Sequence, residues 1–317
     1  MMDGGSALQP DGGIYRIAGW TLRSPRPLPY LVPATDEDAD IAISFERLAE
    51  PSQPPLFSAG PYRVYAPDHI EVCHPSGLRI QVRAGNRLIV DAPPDCDDAE
   101  LHTFLFGPAF AVLCHQRGAP PLHASAVVFG GAALAVTGDV GAGKSTTTMA
   151  LIKRGGLLLA DDQLVVSPET AMVAAGFPSL KLWSQTADWF GAKTESAARV
   201  QRDLDKFHLR VPSEFYPEAA PLKVLFLLTP DLTLTVPVAR LLPRVEAIAT
   251  LDRMIYRTEF AQAFGSKPDI FTWASKLSGL VPLYHVRRPN DLARLDALVD
   301  RLLDIAASHG VARGKNS

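Results

Sequence analysis

Cysteine is scarce in this 317-residue chain: Cys73, Cys96 and Cys114 are the whole supply, and none forms a CxxC pair. That excludes a disulfide framework and leaves no zinc-ribbon spacing. Neither sign of charge is in excess. Lys and Arg number 31 against 34 Asp and Glu, a formal net charge of -3, so no global basic field points to a nucleic-acid partner. Long apolar runs are missing too. The most apolar stretch, Ala124–Val136, is broken by Gly130-Gly131 and is shorter than the roughly 20 residues a membrane-spanning helix needs. The opening MMDGGSALQPDGG has no basic n-region and no apolar core. The expectation is therefore a chain without a signal peptide or membrane anchor, working in the cytoplasm.

What is present divides the chain in two. Residues 1–118 read as a β-rich N-terminal domain that ends in a helix. Runs such as Tyr62–Tyr65 and Leu78–Val82 alternate apolar and polar side chains, and prolines and glycines punctuate them. That pattern predicts short antiparallel strands. Asp97 or Asp98 can cap a helix that Gly118 ends, kinked or split at Pro108. Residues 119–317 read as an α/β domain. Ala124–Phe129 and Ala132–Thr137 are strand-like, joined by the tight turn Gly130-Gly131. A helix over Lys144–Arg154 follows, then the buried strand Leu157–Ala160, a strand over Leu222–Leu228 and an amphipathic helix over Asp291–Ala307.

The second of these strands runs straight into Gly138-Asp139-Val140-Gly141-Ala142-Gly143-Lys144-Ser145, which fits G-x-x-x-x-G-K-[ST] at every fixed position. Triphosphate oxygens need many donors at close range. Glycines at 138, 141 and 143 let the backbone curl so that successive N–H groups point inward. Lys144 is expected to reach the β- and γ-phosphates, Ser145 to offer its hydroxyl to Mg²⁺, and the helix to aim its positive dipole end at the phosphates, with Thr146 just beyond. The expected cofactors are ATP and Mg²⁺. Asp161 and Asp162 follow an apolar run, which places them at the carboxyl end of a strand expected to be parallel, the edge where open α/β sheets bind ligands. One carboxylate there can hold Mg²⁺ and the other can take a proton from an attacking hydroxyl.

The ordered pieces LHASAV, GDVGAGKS and ALIKRGGLLLADDQLVV, within Leu122–Val166, resemble the kinase domain of HPr kinase/phosphorylase, a bacterial protein-serine kinase whose P-loop fold is related to phosphoenolpyruvate carboxykinase. The resemblance implies roles: Asp161 as general base on the substrate serine, Asp162 tied to the metal and to the histidine, and His123 close to the phosphates. Val140 stands where that family usually has serine, Thr146 where an acid is common, and no PGRN-like segment, which the family uses in hexamer contacts and in the reverse reaction, is found. HPr itself and phosphorylase activity are therefore not implied, and self-association stays open. GWTLRSPRPLP and PLYHVRRP are similar to segments of the HPr-kinase-like kinases of lasso-peptide biosynthesis. That similarity implies a peptide substrate, phosphorylated on its C-terminal serine. A small-molecule hydroxyl kinase and a nucleotide-gated binding module without kinase activity are the rival readings.

Further cations are candidates for the acceptor or a phosphate. Lys206 and Arg210 lie beside Asp203 and His208, where a solvated helix face is the competing reading. Arg287 and Arg288 precede Pro289 and can match planar anions bidentately. Lys181 fits contact with nucleotide or peptide and snorkelling from a strand edge equally well. Trp183, Trp189 and Phe190 are expected in the core.

Overall fold

The computed structural model describes residues 12–36, 38–192, 198–199, 205–258, 260, 264 and 266–313, with the backbone alone at 198, 199 and 206. Two compact units meet at Gln116/Arg117.

The N-terminal unit is built on one nine-stranded sheet: β1 (Gly13–Ile17), β2 (Trp20–Ser24), β3 (Val32–Pro33), β4 (Ile41–Phe45), β5 (Phe57–Ala59), β6 (Tyr62–Ala66), β7 (His69–Cys73), β8 (Arg79–Arg83) and β9 (Arg87–Asp91), in the order 3-1-2-4-9-8-7-6-5. The pairing is not purely antiparallel as the alternation suggested. β4 lies parallel to both β2 and β9, because the chain returns to the sheet through connections too long for hairpins. Helix α1 (Asp98–Phe104) starts at Asp97, whose carboxylate accepts from the Glu100 N–H. The helix is split at Pro108, where a π-turn over Leu105–Ala109 carries the chain into α2 (Phe110–Gln116). The wider turn accommodates a residue that has no N–H to give.

The second unit has a sheet in the order β12-β10-β11-β17-β19-β18, formed by β10 (Ala124–Phe129), β11 (Ala132–Thr137), β12 (Leu157–Ala160), β17 (Ala220–Asp231), β18 (Val238–Leu241) and β19 (Leu283–Pro289), with β13 (Met172–Val173) pairing β17 off that path. A separate sheet, β14 (Ser179–Trp183), β16 (Lys206–Arg210) and β15 (Ala198–Arg199), stands in that order. Its helices include α3 (Lys144–Lys153), α4 (Ser184–Trp189), α5 (Arg244–Arg253), α6 (Lys267–Leu280) and α7 (Leu295–Ser308). Two cores sandwich the sheet. Ala133, Ala135, Leu225 and Leu227 face Leu251 of α5 and Trp273 and Leu277 of α6. The alternate residues Leu134, Val136, Val224 and Phe226 face Met149 and Leu151 of α3 and Leu298 and Leu302 of α7. Covered on both sides, β10 and β11 are buried throughout, and such strands read as continuous apolar runs. Arg154, just past α3, ties that helix to α7 through Asp300 at 2.7 Å and Asp296 at 3.4 Å.

Strand direction then determines where the interesting residues meet. β12 is antiparallel to β10, not parallel as expected for the strand before Asp161. β10 is antiparallel to β11, however, so β12 and β11 run the same way. β17 and β19 run parallel to β11. The start of β10 and the ends of β11, β12 and β19 therefore share one edge of the sheet. His123, Gly138, Asp161 and Arg288 all lie there.

Candidate functional site

The chain leaves β11 at Thr137 and enters α3 at Lys144 through the glycine-rich loop. Two glycines are required by its shape. Gly138 has φ +148°, and a Cβ there would meet Leu228 O at 2.6 Å and Ala142 Cβ at 2.8 Å. Gly143 caps α3 in the left-handed region at φ +91°, and a Cβ there would meet the Arg288 guanidinium at 2.6 Å. The backbone thus curls tightly into the first turn of a ten-residue helix whose leading N–H groups have no partner within the helix. Lys144 is largely buried and folds over its own loop, donating to Gly138 O at 2.7 Å and to Asp139 O at 3.2 Å. Asp139 faces Arg253 at 3.6 Å, and Val140 is exposed. Thr146 shares a 3.3 Å hydroxyl contact with Thr186, which ties the first turn of α3 to α4.

A cavity of about 880 Å³ opens above the loop. Its lining includes Gly141, Gly143, Lys144, Ser145 and Thr146, both acids Asp161 and Asp162, and His123. Asp161 Oδ1 accepts from Ser125 Oγ at 2.5 Å and its Oδ2 from the Lys181 N–H at 2.9 Å. Asp162 sits at φ +72°, a left-handed conformation that a short acidic side chain tolerates. Its Oδ2 lies 2.7 Å from Lys181 Nζ and its Oδ1 3.8 Å from His123 Nε2. The His123 ring stacks on Tyr256 with centroids 5.3 Å apart and planes 23° from parallel.

Charge and burial compete here. Burial alone would lower the Lys181 pKa, but the adjacent Asp162 carboxylate overrides it and raises the ammonium above its ordinary value. Burial, helped by the charge on Asp162, pushes the Tyr256 phenol up. Arg288 is pulled down by burial.

Lys181 thus joins the acids rather than snorkelling, a placement its apolar neighbours in sequence left undecided. Ser125 and Tyr256 were missed. Ser125 had one readable signal, a lone hydroxyl in an apolar strand. Trp183 and Trp189 are not core aromatics: they are 46% and 54% exposed and line the cavity, while Phe190 packs partly buried against the core. In β14, Leu180 and Leu182 take the core side, and alternation turns Lys181 and Trp183 away from it.

The cations separate. Arg288 lines the cavity. Arg287, next to it on β19, turns the other way and pairs with Asp231 at 3.0 Å. Lys206 and Arg210 lie on a strand, not a helix face, opposite Trp183 and Ser179 in register. His208 is buried on that strand, 3.4 Å from Ser179 Oγ. Asp203 lies outside the described residues.

Among solved structures the chain is similar to the Hpr(Ser) kinase/phosphatase from Coxiella burnetii, at 13% identity and a TM-score of 0.31, over 59% of this chain and 98% of that one. No protein-family model matches. No curated protein matches. Nothing about chemistry follows from a likeness of that quality, and the residues of the cavity carry the reading instead. Among the described residues, no helix is long and apolar enough to cross a membrane.

Proposed function

We propose that this chain is an ATP-dependent phosphotransferase that moves the terminal phosphoryl group of ATP to a hydroxyl, with a peptide serine as acceptor. One observation carries the reading: a glycine-rich loop at a helix N-terminus and a pair of adjacent carboxylates line the same cavity. The loop and helix end suit phosphates. A carboxylate pair facing them is more than nucleotide storage requires. In this reading the loop amides from Gly138 to Thr146 and Lys144 hold the phosphate chain, and Lys144 Nζ gives up its loop carbonyls for phosphate oxygens. His123, stacked on Tyr256, borders the phosphates.

A hard cation such as Mg²⁺ takes oxygen ligands, few of them from protein. The Ser145 hydroxyl and the Asp162 carboxylate, both on the cavity wall, fit that demand. Bound there, Mg²⁺ would neutralise charge on the phosphates. Asp161, held at both oxygens by Ser125 and Lys181, receives the acceptor's hydroxyl proton. The acceptor oxygen bonds to the terminal phosphorus, the bond from that phosphorus to the bridging oxygen breaks, and ADP leaves with the electron pair.

The resemblance described above narrows the acceptor to a C-terminal serine such as that of a lasso-peptide precursor. Lys206 and Arg210 on β16 are the cations proposed for its carboxylate. The size of the cavity favours a second reading. Pockets for small ligands run from about 300 to 1,000 Å³, so a small hydroxyl compound could serve instead. Incubation with Mg-ATP and either serine-ended peptides or a set of small hydroxyl compounds, followed by mass spectrometry, separates the two. Phosphate on neither, with ATP still bound, would remove the kinase reading.

A further inference from the structure

Arg288 is a cation half withdrawn from water, with no carboxylate beside it among the described residues. Nε donates to Ala142 O at 2.8 Å and Nη1 to Pro289 O at 2.9 Å. Nη2 lies against Gly143, close enough that a Cβ there would stand 2.6 Å from it, and it has no hydrogen-bond partner among the described residues. Other well-placed cations of this unit have carboxylates: Lys181 has Asp162, Arg287 has Asp231 and Arg154 has Asp300. An unpaired, partly buried guanidinium is costly unless an anion completes it. The donor left over faces the loop that the phosphates would occupy, on the wall of the same cavity.

Sheet order gives the side. From β11, which feeds the loop, β12 with Asp161 lies two strands away in one direction and β19 with Arg288 two strands away in the other, about 10 Å each at ordinary strand spacing. Arg288 therefore approaches the loop from the flank opposite the acids.

We propose that Arg288 clamps the nucleotide's non-transferred phosphates, Nη2 donating to an oxygen that ATP and ADP share. This rests on the loop being the phosphate site. The phosphoryl group in transit faces the acids, so the guanidinium on the far flank meets what stays behind. The contact is charge-assisted and geometrically fixed by the two carbonyls that hold Nε and Nη1.

Calorimetric titration of the full chain with ADP and with ATP tests it, using wild type, Arg288→Gln and Arg288→Lys, alongside thermal melting of each. The expected result is a loss of about tenfold or more in affinity for both nucleotides, by similar factors, in Arg288→Gln, with part of the loss recovered in Arg288→Lys. Unchanged ADP affinity in Arg288→Gln, or loss for ATP alone, would overturn the clamp. A lower melting temperature with intact ADP affinity would mark a brace and overturn it equally. Should Arg288→Gln fail to fold, arginine modification of wild type by phenylglyoxal, mapped by mass spectrometry, decides: ADP protects residue 288 if it clamps and leaves it reactive if it does not. Wild type that binds neither nucleotide would instead sink the phosphate-site reading of the loop.

Discussion

Lys181 holds both acids of the cavity at once, its Nζ 2.7 Å from Asp162 Oδ2 and its backbone N–H 2.9 Å from Asp161 Oδ2. One residue of β14 thus joins a strand of the small sheet to the turn that follows β12. Losing the ammonium takes a close partner from Asp162, so Lys181→Met is expected to cost about 2 kcal/mol. The pH dependence has a definite sign. A lysine whose folded pKa is raised contributes stability that is fully present below its unfolded pKa and is lost as pH rises through the folded one. The difference in unfolding free energy between wild type and Lys181→Met should be constant from about pH 6 to 9 and shrink only above about 10.5. Denaturant titrations across that range check it; a difference that vanishes near neutrality would contradict it.

The loop glycines should not be equivalent. Gly141 is at φ +83° with nothing within 4 Å of where a Cβ would stand, whereas a Cβ on Gly143, at φ +91°, meets Arg288. Gly141→Ala meets only backbone strain, about 1 kcal/mol. Gly143→Ala meets the strain and displaces the guanidinium. ATP affinity is expected to fall several-fold more in Gly143→Ala than in Gly141→Ala, as read by calorimetry.

Two of the four tryptophans line the cavity, and a third, Trp273, is buried in the core with its indole N–H on Val166 O. Nucleotide binding should therefore change the emission of Trp183 and Trp189. Titration with ATP is expected to shift or quench fluorescence in wild type, and to do so much less in the Trp183→Phe/Trp189→Phe double variant. An equal response in both would move the base away from those indoles.

Much of the second unit could be read from the chain itself. The loop, both flanking strands, their Gly130-Gly131 turn and α3 follow from local glycine placement and unbroken apolar runs, and local signals survive into structure. Asp161 and Asp162 were placed at the right edge for a partly wrong reason: their strand pairs antiparallel with β10, and only the hairpin partner restores the direction. What stayed hidden depends on pairing at a distance. β14 and β16 are far apart in sequence, so nothing local showed that Lys206 and Arg210 form a strand or that Trp183 faces outward. The two parallel joins of β4 in the N-terminal sheet escaped for the same reason. Arg288 resembled its neighbour Arg287 in every local respect, and only the alternation of β19 sent one to the cavity and the other to Asp231.

Lys144 and Asp161 should fail differently. Lys144→Ala removes the ammonium folded over the loop and should lower ATP affinity by about tenfold or more. An Asn at 161 can still accept from the Lys181 N–H and donate to the Ser125 hydroxyl, so Asp161→Asn should bind ATP as wild type does.

Phosphate transfer by Asp161→Asn set against wild type tests the central claim most directly. Each is incubated with Mg-ATP and a mixture of serine-ended peptides, and mass spectrometry reads the added phosphate while calorimetry confirms bound nucleotide. Peptide phosphorylation by wild type, with a loss of at least about a hundredfold in Asp161→Asn at unchanged ATP affinity, is the predicted result. Transfer at the wild-type rate by Asp161→Asn would contradict it.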